Sequence, residues 1–209
     1  MKKVNFETFA FLTDAQRSYS VEIFEIKPQQ LEYCIEKEYF DGLCKSGCPN
    51  YKKKWSCPPF APQFTNFVEG WDKLFVLYFR TDMEQYHYIK NDYLKIKAAN
   101  IILKSRADKF LRKMTALCGS YISTGSCRLC RPCKCKIDLP CARPEIMTYS
   151  FEALGINVSQ LADKFFQKPL LWYKPYCLPE YTSVVCGLLT NAEIMAEDIQ
   201  REYLRYITS

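Results

Sequence analysis

Seven of the 12 cysteines in this 209-residue chain stand in two tight blocks. Cys127, Cys130 and Cys133 follow C-x2-C-x2-C, and Cys141 closes the block in the run Pro140-Cys141-Ala142-Arg143-Pro144. Far upstream, Cys44, Cys48 and Cys57 are spaced C-x3-C-x8-C, just ahead of Pro58-Pro59. Thiolate is a soft, strongly donating ligand, and four of them suit a [4Fe-4S] cluster or a tetrahedral zinc. The C-x2-C-x2-C step lets a short loop wrap three corners of a cubane, so iron is the expected metal and zinc the alternative. The count is uneven. Cys127, Cys130, Cys133 and Cys141 complete one four-thiolate set, whereas Cys44, Cys48 and Cys57 complete none alone. Either Cys135 or Cys118 supplies a fourth ligand, or one iron is left open to act as a Lewis acid. The expectation is one or two [4Fe-4S] clusters.

Disulfides are the competing use of clustered cysteines, but they dominate in short secreted chains that cannot build a core. Here 48% of the residues are hydrophobic, enough for a core in one domain. Met1-Lys2-Lys3-Val4-Asn5-Phe6-Glu7 runs on into polar residues without the apolar stretch of a signal peptide. No apolar run approaches the roughly 20 residues of a membrane span. The expected setting is cytoplasmic, away from membranes, where thiols stay reduced.

The formal net charge is +6, yet its placement argues against nucleic acid as the partner. Lys45, Lys52, Lys53 and Lys54 lie between Cys44 and Cys57 with no acid among them. Arg128, Arg131, Lys134, Lys136 and Arg143 accompany the second block against the single acid Asp138. Cations near an anionic cluster stabilise it and raise its potential. They also form a docking face for an acidic redox partner protein.

Three functions follow from the cysteines. The first is a redox protein, an electron carrier or small redox subunit. The second is an enzyme of dehydratase or desulfurase type working at an open iron, with Glu152, Asp138 and Tyr51 as the general acids or bases that position suggests. For each, an ordinary role competes: a helix-start charge, a turn residue, and a wall packed on a cluster. The third is an interaction module stabilised by zinc. His87 is the only histidine, which rules out a multi-histidine metal centre. No G-x-G-x-x-G and no phosphate loop is present.

The elements that must carry these blocks are legible from periodicity. Residues 20–26 alternate as a strand, and Pro28 opens a helix with Leu31, Cys34 and Ile35 on one face. Cys34 reads as core packing. Residues 44–62 are broken by Gly and Pro and read as a loop. Phe64, Phe67, Val68 and Trp71 suggest a short helix, and the continuous apolar run 74–79 a buried central strand. From Met83 to Leu117 a helical stripe recurs through Ile96, Ala99, Leu103, Ala107, Phe110, Met114 and Leu117, with a break expected near Asn91–Asp92 and a stop at Gly119. Residues 150–154 suggest a short helix ended by Gly155, and Asn157 a cap for a second. Strands are expected at 170–173 and 182–189, joined by a turn containing Cys177, and a last helix at 191–207. The sum is an α+β fold: a single domain over 1–209, with a mixed or antiparallel sheet packed on one face by the long helix and two cysteine-rich metal-binding loops. Residues 191–209 form a C-terminal helical extension able to pack against a second copy in a homo-oligomer.

Four motifs together resemble a known family. They are Cys44-x3-Cys48-Pro49-x-Tyr51-x3-Trp55-Ser56-Cys57-Pro58-Pro59, Gly125-Ser126-Cys127-x2-Cys130-x2-Cys133, Pro140-Cys141-Ala142-Arg143-Pro144, and Ser150-Phe151-Glu152-Ala153-Leu154-Gly155-Ile156-Asn157-Val158. In this order they are similar to the predicted metal-binding proteins of domain-of-unknown-function family 2284, over roughly residues 20–190. The resemblance implies a metal or iron–sulfur protein of anaerobic bacteria and archaea, with Cys44, Cys48, Cys57, Cys127, Cys130, Cys133 and Cys141 as its metal-binding positions. Three departures stand out: Lys52 where a glycine is usual after the tyrosine, the additional Cys135, and the helix from Asn191.

Overall fold

A computed structural model describes residues 3–12, 15–175 and 177–208, with side chains from Tyr19 onward except those of Cys118 and Thr208. Five strands form one sheet: β1 (Lys3–Leu12), β2 (Ala15–Ile26), β3 (Lys73–Asp82), β4 (Ser120–Ile122) and β5 (Tyr181–Thr190), in the order β1-β2-β3-β5-β4. Every neighbouring pair is antiparallel. The architecture is α+β, as the sequence suggested. The run 74–79 is indeed a central strand, with every residue from Leu74 to Phe79 wholly buried.

That continuous burial has a cause: both faces of the sheet are covered, where the sequence suggested one. On one face, Phe75, Leu77 and Phe79 meet α3 (Asp92–Cys118) through Leu103, Ala107, Phe110, Leu111 and Met114, and α5 (Ala196–Thr208) through Ala196, Ile199 and Tyr203. On the other, Leu74, Val76 and Tyr78 meet α2 (Phe64–Phe67), α4 (Val158–Phe166), and Leu31 and Cys34 of a 3-10 turn at Pro28–Cys34. The C-terminal helix is therefore part of the core packing. It begins at Ala196, because Asn191 instead holds the preceding corner, its side chain bonding the Asp72 amide and the Gly70 carbonyl.

The expected break falls where polar chemistry places it. A 3-10 turn, Met83–Tyr86, ends before Asn91, whose side chain accepts from the Leu94 amide and caps α3. Leu117 leaves the stripe and is exposed, while Leu111 joins the core. Gly119, at φ 121°, stops the helix, and a Cβ there would fall 2.5 Å from the Trp71 ring. Asn157 caps α4 through the amides of Ser159 and Gln160. Two expectations fail. Residues 170–173 form no strand, and Cys177 joins only an isolated bridge with Lys174. Residues 151–155 form a turn instead of a helix, because Phe151 and Leu154 are both drawn into the core and Gly155 bends the chain at φ 92°.

Candidate metal centre

The first block begins in a helix, where the sequence reading had a loop. α1 (Lys37–Gly47) carries Cys44 in its last turn, with a Lys37–Asp41 ion pair at 2.6 Å one turn earlier. Gly42 is tolerated within it, and the helix ends at Gly47, before Pro49. The Cys48 amide donates to the Cys44 carbonyl at 3.1 Å, so the two residues stand one helical turn apart, with their thiols within electrostatic reach of each other. A series of tight turns then reverses the chain. Tyr51 donates to Cys48, Lys53 to Asn50, and the Lys52 amide reaches the Pro58 carbonyl at 3.1 Å. Cys57 returns to within electrostatic reach of both Cys44 and Cys48. Lys52 sits at φ 55°, in the left-handed region that favours glycine. Its departure from the family's usual glycine thus falls at a backbone position that asks for one.

The second block follows β4. Asp108 of α3 accepts from the Thr124 amide and hydroxyl, and Ser123 donates from its amide to Tyr149, which fixes the chain entering the block. Cys127, Cys130, Cys133 and Cys141 then line one pocket of about 20 Å³, together with Lys54, Trp55, Ser56, Leu129, Arg143 and Met147. The Cys141 Sγ lies 3.8 Å from the Met147 Sδ. Among the described residues, no three Cys, His, Asp or Glu side chains converge on a point that would seat a single ion.

The two blocks are interlocked, which no spacing in the sequence announces. The Cys127 amide donates to the Ser56 Oγ at 3.0 Å, and that hydroxyl lies 3.9 Å from the Cys57 Sγ. Ser56 is buried to 1% exposure between them. Lys54 Nζ donates to the Ser126 hydroxyl at 3.0 Å and the Cys127 carbonyl at 2.9 Å. Trp55 Nε1 donates to the Leu139 carbonyl. Cys135, in a 3-10 turn at Lys134–Ile137, is buried and directs its Sγ to the Lys52 carbonyl at 3.6 Å. It belongs to the seam between the blocks and does not line the four-thiol pocket. The Cys118 side chain lies outside the described residues.

The electrostatics of the two sets differ. Burial pushes the Cys57 thiol up to about 11, while the Ser56 hydroxyl and Lys54 pull it the other way. Burial likewise raises Cys44, and Cys48, Asp41 and Glu152 raise it further. The acid-free stretch 44–57 therefore has carboxylate neighbours, Asp41 three residues upstream on α1 and Glu152 from elsewhere in the fold. Without a cation, buried thiols stay protonated; a bound metal reverses this and releases their protons. Glu152 also acts on Lys104, whose amine burial holds below the usual range. Of the other candidates, Asp138 is exposed and closes the 3-10 turn at φ 52°. Tyr51 is half-buried, with Lys52 Nζ 5.8 Å from its ring. His87 is exposed. Cys34 and Cys186 are wholly buried core residues bonded to the carbonyls of Leu31 and Leu77.

Fold and cysteine chemistry thus define a metal-binding α+β protein. Residues 25–189 match domain-of-unknown-function family 2284, described as a predicted metal-binding protein, and the chain belongs to that family. No curated protein and no solved structure matches it significantly. Among the described residues, no helix is long and apolar enough to cross a membrane.

Proposed function

We propose that this is an iron–sulfur protein acting in electron transfer, as a carrier or small redox subunit. In this reading Cys127, Cys130, Cys133 and Cys141 hold one [4Fe-4S] cluster, and Cys44, Cys48 and Cys57 hold a second through three thiolates. The observation that carries it is the sorting of the seven thiols. Four share a pocket with Lys54 and Arg143, three gather at the end of α1, and Cys135 is occupied in the seam. The donor sets fit the groups: soft thiolates throughout, with cationic side chains beside the four-thiol set. When bound, such clusters supply reversible one-electron chemistry. Exposed Lys45, Lys52, Lys53, Arg128, Arg131 and Lys134 offer a face for an acidic partner. The chain's own contribution is to hold the two sets close together through Ser56 and to bury Cys57 away from water.

The same four thiolates would also suit a zinc-stabilised module, although among the described residues no three such ligands converge on a single-ion point. Purification without oxygen, followed by assay of iron, acid-labile sulfide and zinc, separates the two. About eight irons and eight sulfides per chain, with a band near 400 nm that bleaches on dithionite, is the expected result. About four irons would restrict the reading to one set. A colourless zinc protein that takes up no cluster on anaerobic reconstitution would overturn it. In the iron protein, Cys135→Ser is expected to leave the iron count unchanged. Loss of about four irons would instead make Cys135 the missing ligand.

A further inference from the structure

Beside the four-thiol pocket lies a larger cavity of about 460 Å³, and the two share Leu129 and Met147 as a common wall. Its volume is that of a small-molecule site, for which roughly 300–1,000 Å³ is usual. Four parts of the chain build it: the last turns of α3, the start of β4, Leu129 of the second cysteine block, and the strap from Glu145 to Thr148. Its lining is mixed. Ala116, Leu129, Ile146 and Met147 give apolar wall, while Arg112 and Tyr121 bring polar groups.

Arg112 supplies the charge. Its Nε donates to the Tyr121 hydroxyl oxygen at 3.1 Å, which fixes the plane of the guanidinium. That bond uses one of the five donors in the fork and leaves the terminal nitrogens to take a carboxylate. Tyr121 is 5% exposed, and since its oxygen accepts from Arg112 it keeps its own proton to donate. Glu145 also lines the cavity and is exposed, while Arg112 is the only cation among the lining residues. Met147 couples the cavity to the thiols, because its sulfur touches that of Cys141. A molecule resting on Met147 would lie one side chain away from the metal site.

We propose that this cavity binds a small organic carboxylate with an apolar body, its carboxylate on Arg112 and its body against the wall formed by Leu129 and Met147. Binding itself does not depend on which metal the thiols hold; a role in redox chemistry would rest on the iron–sulfur reading above.

The test is calorimetric titration of the protein, as purified without oxygen, with benzoate and with its uncharged counterpart benzamide. Benzoate is expected to bind saturably, and benzamide at least about tenfold more weakly, because it lacks the charge-assisted pair. Arg112→Gln should remove that preference and Arg112→Lys should retain part of it. Ala116→Phe, which fills the cavity without touching a charge, should abolish binding of both while leaving the thermal midpoint near that of the wild type. Equal titration of the two probes, an undiminished preference in Arg112→Gln, undiminished binding in Ala116→Phe, or no saturable benzoate binding by the metal-loaded protein would each overturn the proposal. A colourless zinc protein that still prefers benzoate through Arg112 would uphold this inference while overturning the iron reading.

Discussion

Replacing Ser56 with alanine should destabilise the protein out of proportion to the single atom lost. The Ser56 hydroxyl accepts from the Cys127 amide at 3.0 Å and lies 3.9 Å from the Cys57 Sγ, at 1% exposure. Removing it leaves an amide without its acceptor, and such a loss costs about 1–3 kcal/mol when water cannot substitute. Cys127 is only half-buried, so the lower part of that range applies, about 1–1.5 kcal/mol. Ser126→Ala is the internal control. Its hydroxyl accepts from Lys54 Nζ but is half-buried, and its removal should cost below about 0.5 kcal/mol. The assay is urea unfolding of the metal-loaded protein under anaerobic, reducing conditions, with the slope checked for constancy. Ser56→Ala combined with Lys54→Met should be non-additive, because one side chain bonds the amide and the other the carbonyl of the same residue, Cys127. A Ser56→Ala midpoint indistinguishable from that of the wild type would refute the reasoning. The two cysteine blocks would then be joined by apolar packing or by their metals, and the hydroxyl would be incidental.

Three further outcomes are expected. Gly155→Ala should cost more than about 2 kcal/mol, since it places a side chain at φ 92° with its Cβ 2.8 Å from the Lys37 Cα, and the thermal midpoint should show it. Lys52→Gly should stabilise by about 0.5–1 kcal/mol, read as a rise of a few degrees in midpoint, by relieving a left-handed lysine; a fall would mean that its side-chain contacts outweigh the backbone term. Burial raises the Cys34 thiol from 9.0 to about 11, so the folded state holds this proton more tightly than the unfolded chain. The associated stability is complete below pH 9.0 and is lost as pH rises through about 11, at most about 2.7 kcal/mol. Urea midpoints across that window should fall less steeply in Cys34→Ala, and parallel curves would contradict the assignment.

Where chemistry is local, the sequence was explicit. Asn157 announces a helix start because an amide oxygen caps the amides two or three residues on, and Asn91, read only as a break, turns out to cap α3 in the same way. The apolar run of β3 declared its burial. The four-cysteine set was equally legible, since its spacing keeps three thiols within one short loop. What was not legible depends on distant partners. β1 pairs along β2 from Lys3 to Leu12, but its polar–apolar alternation holds only over Lys3–Glu7 before Phe9–Leu12 runs apolar, and β4 is only three residues long. Residues 151–155 have helical composition, but Phe151 and Leu154 are pulled into the same core and the turn results. Glu152 comes to Cys44 only through the fold, as Ser56 comes to Cys127. A serine between tryptophan and cysteine carries no mark of joining two sites 71 residues apart.

The family match over 25–189 contains all seven cysteines and closes within the last residues of β5, leaving β1, nearly all of β2, and α5 outside it. These outer elements pack on one another: α5 lies over β1 and β2, and its Ala196, Ile199 and Tyr203 are wholly buried in the core that Tyr19, Val21 and Ile23 share. Their placement has a physical logic. β3 carries one side of the sheet's pairing to β2, and an uncovered β3 would present a long apolar edge open to pairing with another chain. β2 satisfies that edge, β1 extends the sheet beyond it, and α5 lies over both strands. The two cysteine blocks need none of these residues for their thiols, but they need a rigid β3 and α3 beneath them. Asp108 of α3 holds Thr124 at the entrance to the four-thiol loop, and α3 lies against the same core that α5 completes. The outer elements thus bear on the site through the stiffness of the sheet and the long helix.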